Sequence, residues 1–359
     1  MIEHLPPLVV VVGSGGVGKT SLAAALGLLS AGEGQDTLVM TFDPSLRLKD
    51  SLGVGEAARD EEVEVAVETP GRLAASLLDA RRTFDRLVAR YAEDPDDQKR
   101  ILENRYYRQL AGSLAGILEY MAVERLFEVF DAGRYERIIL DTPPTRQALD
   151  FLEAPERIVA FLDSGALKLA LKPWFDSSGH LKATTRLGRF GAKFEEYLDE
   201  VVGLDLLRDM AEFFQAFAPL YDGFRQRAVE VQELLRSPRT LFLLVAAPGE
   251  ERNADTLFFA RRLQEAGYRL GPIVVNRIHP LGDGEPGGTP DAEAGEVDGR
   301  QLLAWLAQRD ARGLAKLRSL LSDQQPLVGI PLLAREPADL ASLGELAHEF
   351  ADRFDWPPS

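Results

Sequence analysis

The residues with the clearest chemical purpose are Gly13-Ser14-Gly15-Gly16-Val17-Gly18-Lys19-Thr20. They satisfy the pattern G-x-x-x-x-G-K-[ST], preceded by the apolar run Leu8–Val12 and followed by the helical stretch Ser21–Leu29. Glycines let backbone N–H groups turn inward around an anion with no Cβ in the way. The start of the following helix adds the positive end of its dipole. Lys19 is then placed to meet β- and γ-phosphates, and the Thr20 hydroxyl to hold Mg²⁺. The segment Gly13–Ser21 is therefore expected to cradle a nucleoside triphosphate. Gly13, Gly15 and Gly18 also fit the dinucleotide fingerprint G-x-G-x-x-G, but that reading gives Lys19 and Thr20 nothing to do.

Two aspartates stand where such a site needs carboxylates. Asp43 follows the apolar run Thr37–Phe42, and Asp141 follows Arg137–Leu140 and opens Asp141-Thr142-Pro143-Pro144-Thr145. Ligands of open parallel sheets sit at the carboxyl ends of the strands. Carboxylates there position an attacking water or hold magnesium through water. The competing reading makes each a helix cap or turn residue.

Strand-like runs, several apolar on both faces, alternate with helical stretches, as parallel strands covered on both sides require. Strands are expected at Leu8–Val12, Thr37–Phe42, Val63–Glu68, Arg137–Leu140, Thr240–Ala246, Pro272–Asn276 and Leu327–Ile330. The fold class is α/β, a doubly wound, mostly parallel sheet, read as one domain over 1–359. Helical insertions are expected over about 70–132 and 146–238, forming a subdomain. In the first, Leu73, Leu77, Phe84, Leu87 and Tyr91 recur at helical steps. In the second, Phe190, Phe194, Tyr197, Met210, Phe213, Phe214, Phe217, Tyr221 and Phe224 do so. Those stripes read either as the subdomain's own core or as a groove for an apolar partner helix. The Gly-, Pro- and acid-rich stretch 280–299 is expected to be a mobile loop, and Ala338–Phe354 a terminal helix docked on the sheet.

Composition removes whole classes of chemistry. The chain has no cysteine, which excludes disulfides, thiolate metal sites and cysteine nucleophiles, and which suits a reducing compartment. Its net charge of −16 disfavours nucleic acid and anionic membranes as partners. No apolar run approaches the roughly 20 residues of a membrane helix, and the short mixed start Met1–Pro7 is unlike a secretory leader. A cytoplasmic protein without direct membrane insertion is expected.

Taken together, the phosphate loop, the Asp43-Pro44 segment and Asp141–Thr145 resemble the arsenite-pump and tail-anchored-protein-targeting ATPase family, within the wider class of dimerising P-loop switch ATPases. Ala115-Gly116-Ile117-Leu118-Glu119, Val274-Val275-Asn276-Arg277 and Ile330-Pro331-Leu332-Leu333 match further family segments in the right order. The resemblance implies a Mg²⁺-dependent ATPase that binds ATP and ADP, closes as a homodimer or paralogous heterodimer around nucleotide, and controls a protein client, an apolar or membrane-protein segment in the targeting branch. It implies that Asp43 orients the attacking water and that Asp141–Thr145 senses magnesium and the γ-phosphate. It further implies that Asn276 binds adenine, with Pro331 and Leu332 closing the base pocket.

Three departures from the family matter. Its loop carries a lysine after the first glycine that reaches the partner's nucleotide; Ser14 stands there, so hydrolysis by this chain alone is expected to be slow. Arg47 and Lys49 are candidate substitutes. The alternative reading is a weakly hydrolysing, nucleotide-binding partner subunit of a heteromeric complex. The targeting factors' paired-cysteine zinc clasp is excluded by the absence of cysteine, and so is arsenite activation through thiolates. With four methionines in the chain, an adaptable methionine-lined groove is disfavoured. A metabolic ligase of the same P-loop class is the third reading, disfavoured by the large helical insertion.

Overall fold

Five successive branched or leucyl side chains at Leu8–Val12 cannot all face one core, so the strand they form must be covered on both sides. The computed structural model describes residues 4–42, 47–55, 58, 61–91, 98, 99, 102, 117–163, 221–281 and 299–354. In it, β1 (Leu8–Gly13) is buried along its whole length, and it pairs in parallel with β5 (Arg137–Asp141) on one side and β6 (Thr240–Ala246) on the other. The remaining strands are β2 (Thr37–Thr41), β3 (Val63–Glu64), β4 (Leu73–Leu77), β7 (Leu270–Ile278) and β8 (Leu327–Pro331). The sheet order is β3-β4-β2-β5-β1-β6-β7-β8, parallel throughout except for β3, which runs antiparallel to β4 at the edge. This is the expected mostly parallel α/β sheet with flanking helices.

Two expectations for the left half of the sheet are corrected. The third strand is not Val63–Glu68: only Val63 and Glu64 pair, and beyond Val65, whose N–H still reaches the Leu73 carbonyl at 2.9 Å, the Val67 N–H turns back to the Val65 carbonyl. Nor are Leu73 and Leu77 helical. They begin and end β4, a fully buried strand paired with β2. A spacing of four places two side chains on one face of a strand as well as of a helix, so the Leu73/Leu77 pair carried no information about which was present. The helical insertion therefore starts after Leu77, at α3 (Ala80–Tyr91), not at residue 70. Phe84, Leu87 and Tyr91 belong to α3, but their side chains lie outside the described residues.

The chain divides into two units. The first, Met1–Leu78, Glu128–Leu149 and Leu234–Ser359, holds the sheet. Its helices include α1 (Lys19–Gly32) and α2 (Arg47–Leu52). A terminal helix (Leu340–Arg353) lays buried Leu343, Leu346 and Phe350 against the same apolar core as Leu22 and Leu26 of α1. Asp339 and Ser342 cap that helix reciprocally. The second unit, Asp79–Phe127 and Asp150–Glu233, is helical where described. It contains α3, most of α4 (Ile117–Asp131), α5 (Thr145–Asp163) and α6 (Tyr221–Arg236). Within it Arg227 of α6 binds Glu124 of α4 at 3.0 Å and stacks 4.6 Å above the Phe127 ring. The aromatic stripe from Phe190 to Phe217 and the stretch 282–298 lie outside the described residues. No described helix is long and apolar enough to cross a membrane.

Candidate functional site

The loop after β1 is shaped by glycines at the two positions where a side chain is impossible. Gly13 has φ +152°, and a Cβ there would lie 2.2 Å from the Val245 carbonyl oxygen of the neighbouring strand. Gly18 has φ +91°, and its Cβ would meet the Asn276 amide nitrogen at 2.4 Å. Helix α1 begins immediately at Lys19, two residues earlier than the sequence pattern indicates. Lys19 is nearly buried, and its ammonium reaches back across the loop to donate to the Ser14 carbonyl at 2.9 Å.

Asp141 sits at the carboxyl end of β5, fully buried. Its Oδ2 accepts hydrogen bonds from the Thr20 hydroxyl at 2.7 Å and from the Thr41 hydroxyl at 3.0 Å. One carboxylate oxygen thus joins the first turn of α1 to the ends of β2 and β5. A hydroxyl that donates its proton to a carboxylate keeps its oxygen lone pairs for another acceptor role. Thr20 and Asp141 are a hard-oxygen donor set, the chemistry that suits Mg²⁺. The next residue, Thr142, donates through both its N–H and its hydroxyl to the Val11 carbonyl, fixing the chain leaving β5 onto β1. Asp43, expected to orient water, lies outside the described residues, as does the Thr145 side chain.

Two cavities lie over these groups. The larger, about 700 Å³, is lined by Gly15, Gly16, Gly18, Lys19, Thr20 and Ser21, and also by Arg47 and Pro144. Arg47 therefore faces the phosphate loop, while Lys49, its alternative as a substitute cation, does not line the cavity. The smaller, about 260 Å³, is lined by Asn276, Pro331, Leu332 and Leu333 together with Ser21. Every described residue expected to bind nucleotide is thus on the loop or in one of these two adjoining spaces.

Asn276 does more than face the smaller cavity. Its amide nitrogen donates to the Val17 carbonyl at 2.9 Å, and its Oδ1 accepts the Arg277 N–H at 3.0 Å. It therefore braces the phosphate loop against β7. His279 follows β7 and is held by Asp310: Oδ2 receives its backbone N–H at 3.0 Å and lies 2.6 Å from Nδ1. Sequence reasoning gave no role to Thr41, Arg277 or Glu336. Thr41 carried one available signal, a hydroxyl two residues before Asp43 after the apolar Leu38-Val39-Met40; nothing in the sequence places Glu336 beside the loop.

Known proteins resemble this chain over much of its length. A family model described as "Anion-transporting ATPase" matches residues 7–352. The chain is 25% identical over 293 residues, 78% of its length, to a Halobacterium salinarum protein provisionally named an arsenical pump-driving ATPase, of which the match covers 42%. It is 27% identical over 293 residues to ATPase GET3B of Arabidopsis thaliana, covering 75% of this chain and 63% of that protein. Against ATPase GET3 of Zygosaccharomyces rouxii it is 26% identical over 245 residues, 62% of this chain and 67% of that protein. The match thus spans less than two thirds of the first two relatives. With nearly its whole length matched by the family model, the chain belongs to the anion-transporting ATPase family.

Proposed function

We propose that the chain is a Mg²⁺-dependent ATPase that dimerises around its nucleotide, as a homodimer or with a paralogue, and uses ATP to control binding of a protein client. The observation that supports this best is the Thr20–Asp141 hydrogen bond beneath the larger cavity. It sets a hydroxyl and a carboxylate at the mouth of a phosphate loop, where Thr20 would ligate the cation directly and Asp141 through water. Bound there, magnesium would neutralise phosphate charge. Lys19 would exchange its Ser14 carbonyl contact for β- and γ-phosphate oxygens. Backbone N–H groups of Gly15 to Thr20 would hold the same oxygens, Ser21 would face the α-phosphate, and Asn276, Pro331 and Leu332 would receive adenine. Asp43 would orient the water.

The second reading, a weakly hydrolysing partner subunit, is favoured by Ser14. A hydroxyl cannot neutralise developing phosphate charge, and supplied cations of this kind contribute on the order of 10³-fold or more in rate. ATP turnover of the purified chain measured against protein concentration separates the two, with Lys19→Ala and Asp43→Asn as controls. A rate per chain that rises with concentration and disappears in both variants supports the self-activating dimer. ATP binding with negligible turnover at every concentration overturns that reading in favour of the partner subunit.

A further inference from the structure

Among the described residues, Arg277 is the one cationic side chain that lines both cavities. The residues common to the two are Ser21, Arg277, Glu336 and Pro337, which mark the passage between the base space and the phosphate space. Arg277 is placed there by its backbone. Its φ of +64° makes it the only non-glycine residue with positive φ among the described residues. The register between β7 and β8 shifts across the same place, between Val275 and Ile278. Left-handed backbone in a non-glycine residue is uncommon, and together with a register shift it re-aims a side chain away from the sheet. The guanidinium is aimed along the outside of the loop: one nitrogen donates to the Gly16 carbonyl at 3.1 Å, and another lies 3.4 Å from the Glu336 carboxylate.

We propose that Arg277, steadied by Glu336, is a specificity-determining residue that binds the α-phosphate and thereby reads whether a polyphosphate is attached to a nucleoside. This rests on the nucleotide-site reading above and extends it to a residue with no role there. A forked guanidinium suits two phosphate oxygens at once. Its place beside Ser21 at the passage between the cavities puts it within reach of a ligand that spans both spaces, whereas a pyrophosphate held by Lys19 and Thr20 alone would leave that passage empty.

Calorimetric titration with ADP and with inorganic pyrophosphate tests this. Arg277→Asn removes the cation while keeping a residue that tolerates left-handed backbone; Arg277→Gly, unstrained at that φ, is the second variant if the first does not fold. ADP affinity is expected to fall roughly tenfold or more in either, the scale of one lost charge-assisted bond. Pyrophosphate affinity should stay within about twofold of wild type. Equal losses for ADP and pyrophosphate would show that Arg277 only latches the loop through Gly16, and unchanged ADP affinity would remove it from the site; either result overturns the inference while leaving the nucleotide site intact. Failure of the wild type to bind ADP or ATP overturns the underlying reading instead.

Discussion

The amide of Asn276 should hold the phosphate loop as well as serve the base. The residue is almost fully buried, and it satisfies two backbone groups at once, the Val17 carbonyl at 2.9 Å and the Arg277 N–H at 3.0 Å. Asn276→Ala strands both. Each buried group left without a partner costs about 1–3 kcal/mol, and the adjoining cavity admits water to the Arg277 side, so a total of about 2–4 kcal/mol is expected. By thermal scanning this corresponds to a fall in unfolding temperature of about 3–5 °C. Asn276→Asp is the sharper probe because it keeps the shape. Its carboxylate still accepts from Arg277, but it sets an oxygen against the Val17 carbonyl where a donor stood. The aspartate variant should therefore be less stable than the alanine variant near neutral pH, although alanine loses more atoms. Acid should rescue it, since a protonated carboxyl can donate to Val17. An aspartate variant as stable as wild type, or one that acid does not rescue, would refute the assignment of Nδ2 to Val17 and with it the bracing role.

Three further outcomes follow from particular contacts. Burial pushes the Glu124 carboxyl from an ordinary 4.5 up to about 7, against the pull of Arg227. The folded state thus holds that proton more tightly than the unfolded chain. The contribution is complete below about 4.5 and is lost as pH rises through 7, on the order of 3 kcal/mol; Glu124→Gln should flatten the wild-type decline in unfolding temperature over that window, and parallel declines would dismiss the effect. Gly13→Ala drives a Cβ to within 2.2 Å of the Val245 carbonyl oxygen, a backbone atom that cannot swing away. Loss of about 3 kcal/mol or more is expected, read as a collapsed yield of folded protein or a large fall in unfolding temperature. Thr41→Val removes one of the two hydroxyls on Asp141 without changing volume. It should cost about 1–2 kcal/mol of stability by urea titration, and a variant as stable as wild type would show that this hydroxyl contributes nothing to holding the carboxylate.

The right half of the sheet was legible because its residues have one physical solution. Leu8–Val12 and Leu241–Val245 are apolar on both faces, which leaves only a strand covered twice. On the left side β2 and β5 were legible but β4 was not, because Leu73-Ala74-Ala75-Ser76-Leu77 mixes small residues with leucines at a spacing shared by strand and helix. The phosphate loop was legible residue by residue, since glycine, lysine and threonine at fixed spacing have few other uses. Asp141 was legible only as a position at a strand end; that it is buried under two threonine hydroxyls depends on β2 and α1 meeting β5, which no local pattern encodes. The second role of Asn276 was hidden for the same reason. Val17 and Asn276 lie far apart in sequence, and only the adjacency of β1, β6 and β7 brings them together. Arg277 was visible as a letter in a strand-end motif, but its left-handed backbone, which decides where it points, was not.

The shared acceptor at Asp141 ties α1, β2 and β5 to one another. Thr20 begins α1, Thr41 ends β2 just before Asp43, and Asp141 ends β5 just before Thr142–Pro144 and α5. All three meet at one oxygen of a fully buried carboxylate. Under those conditions an intermediate arrangement, with one hydroxyl displaced and the other in place, leaves a buried charge short of a donor and is costly. A shift of Thr20 would therefore be felt at the ends of β2 and β5 together. The coupling needs no long pathway: it is the geometry of one oxygen with two donors on different elements.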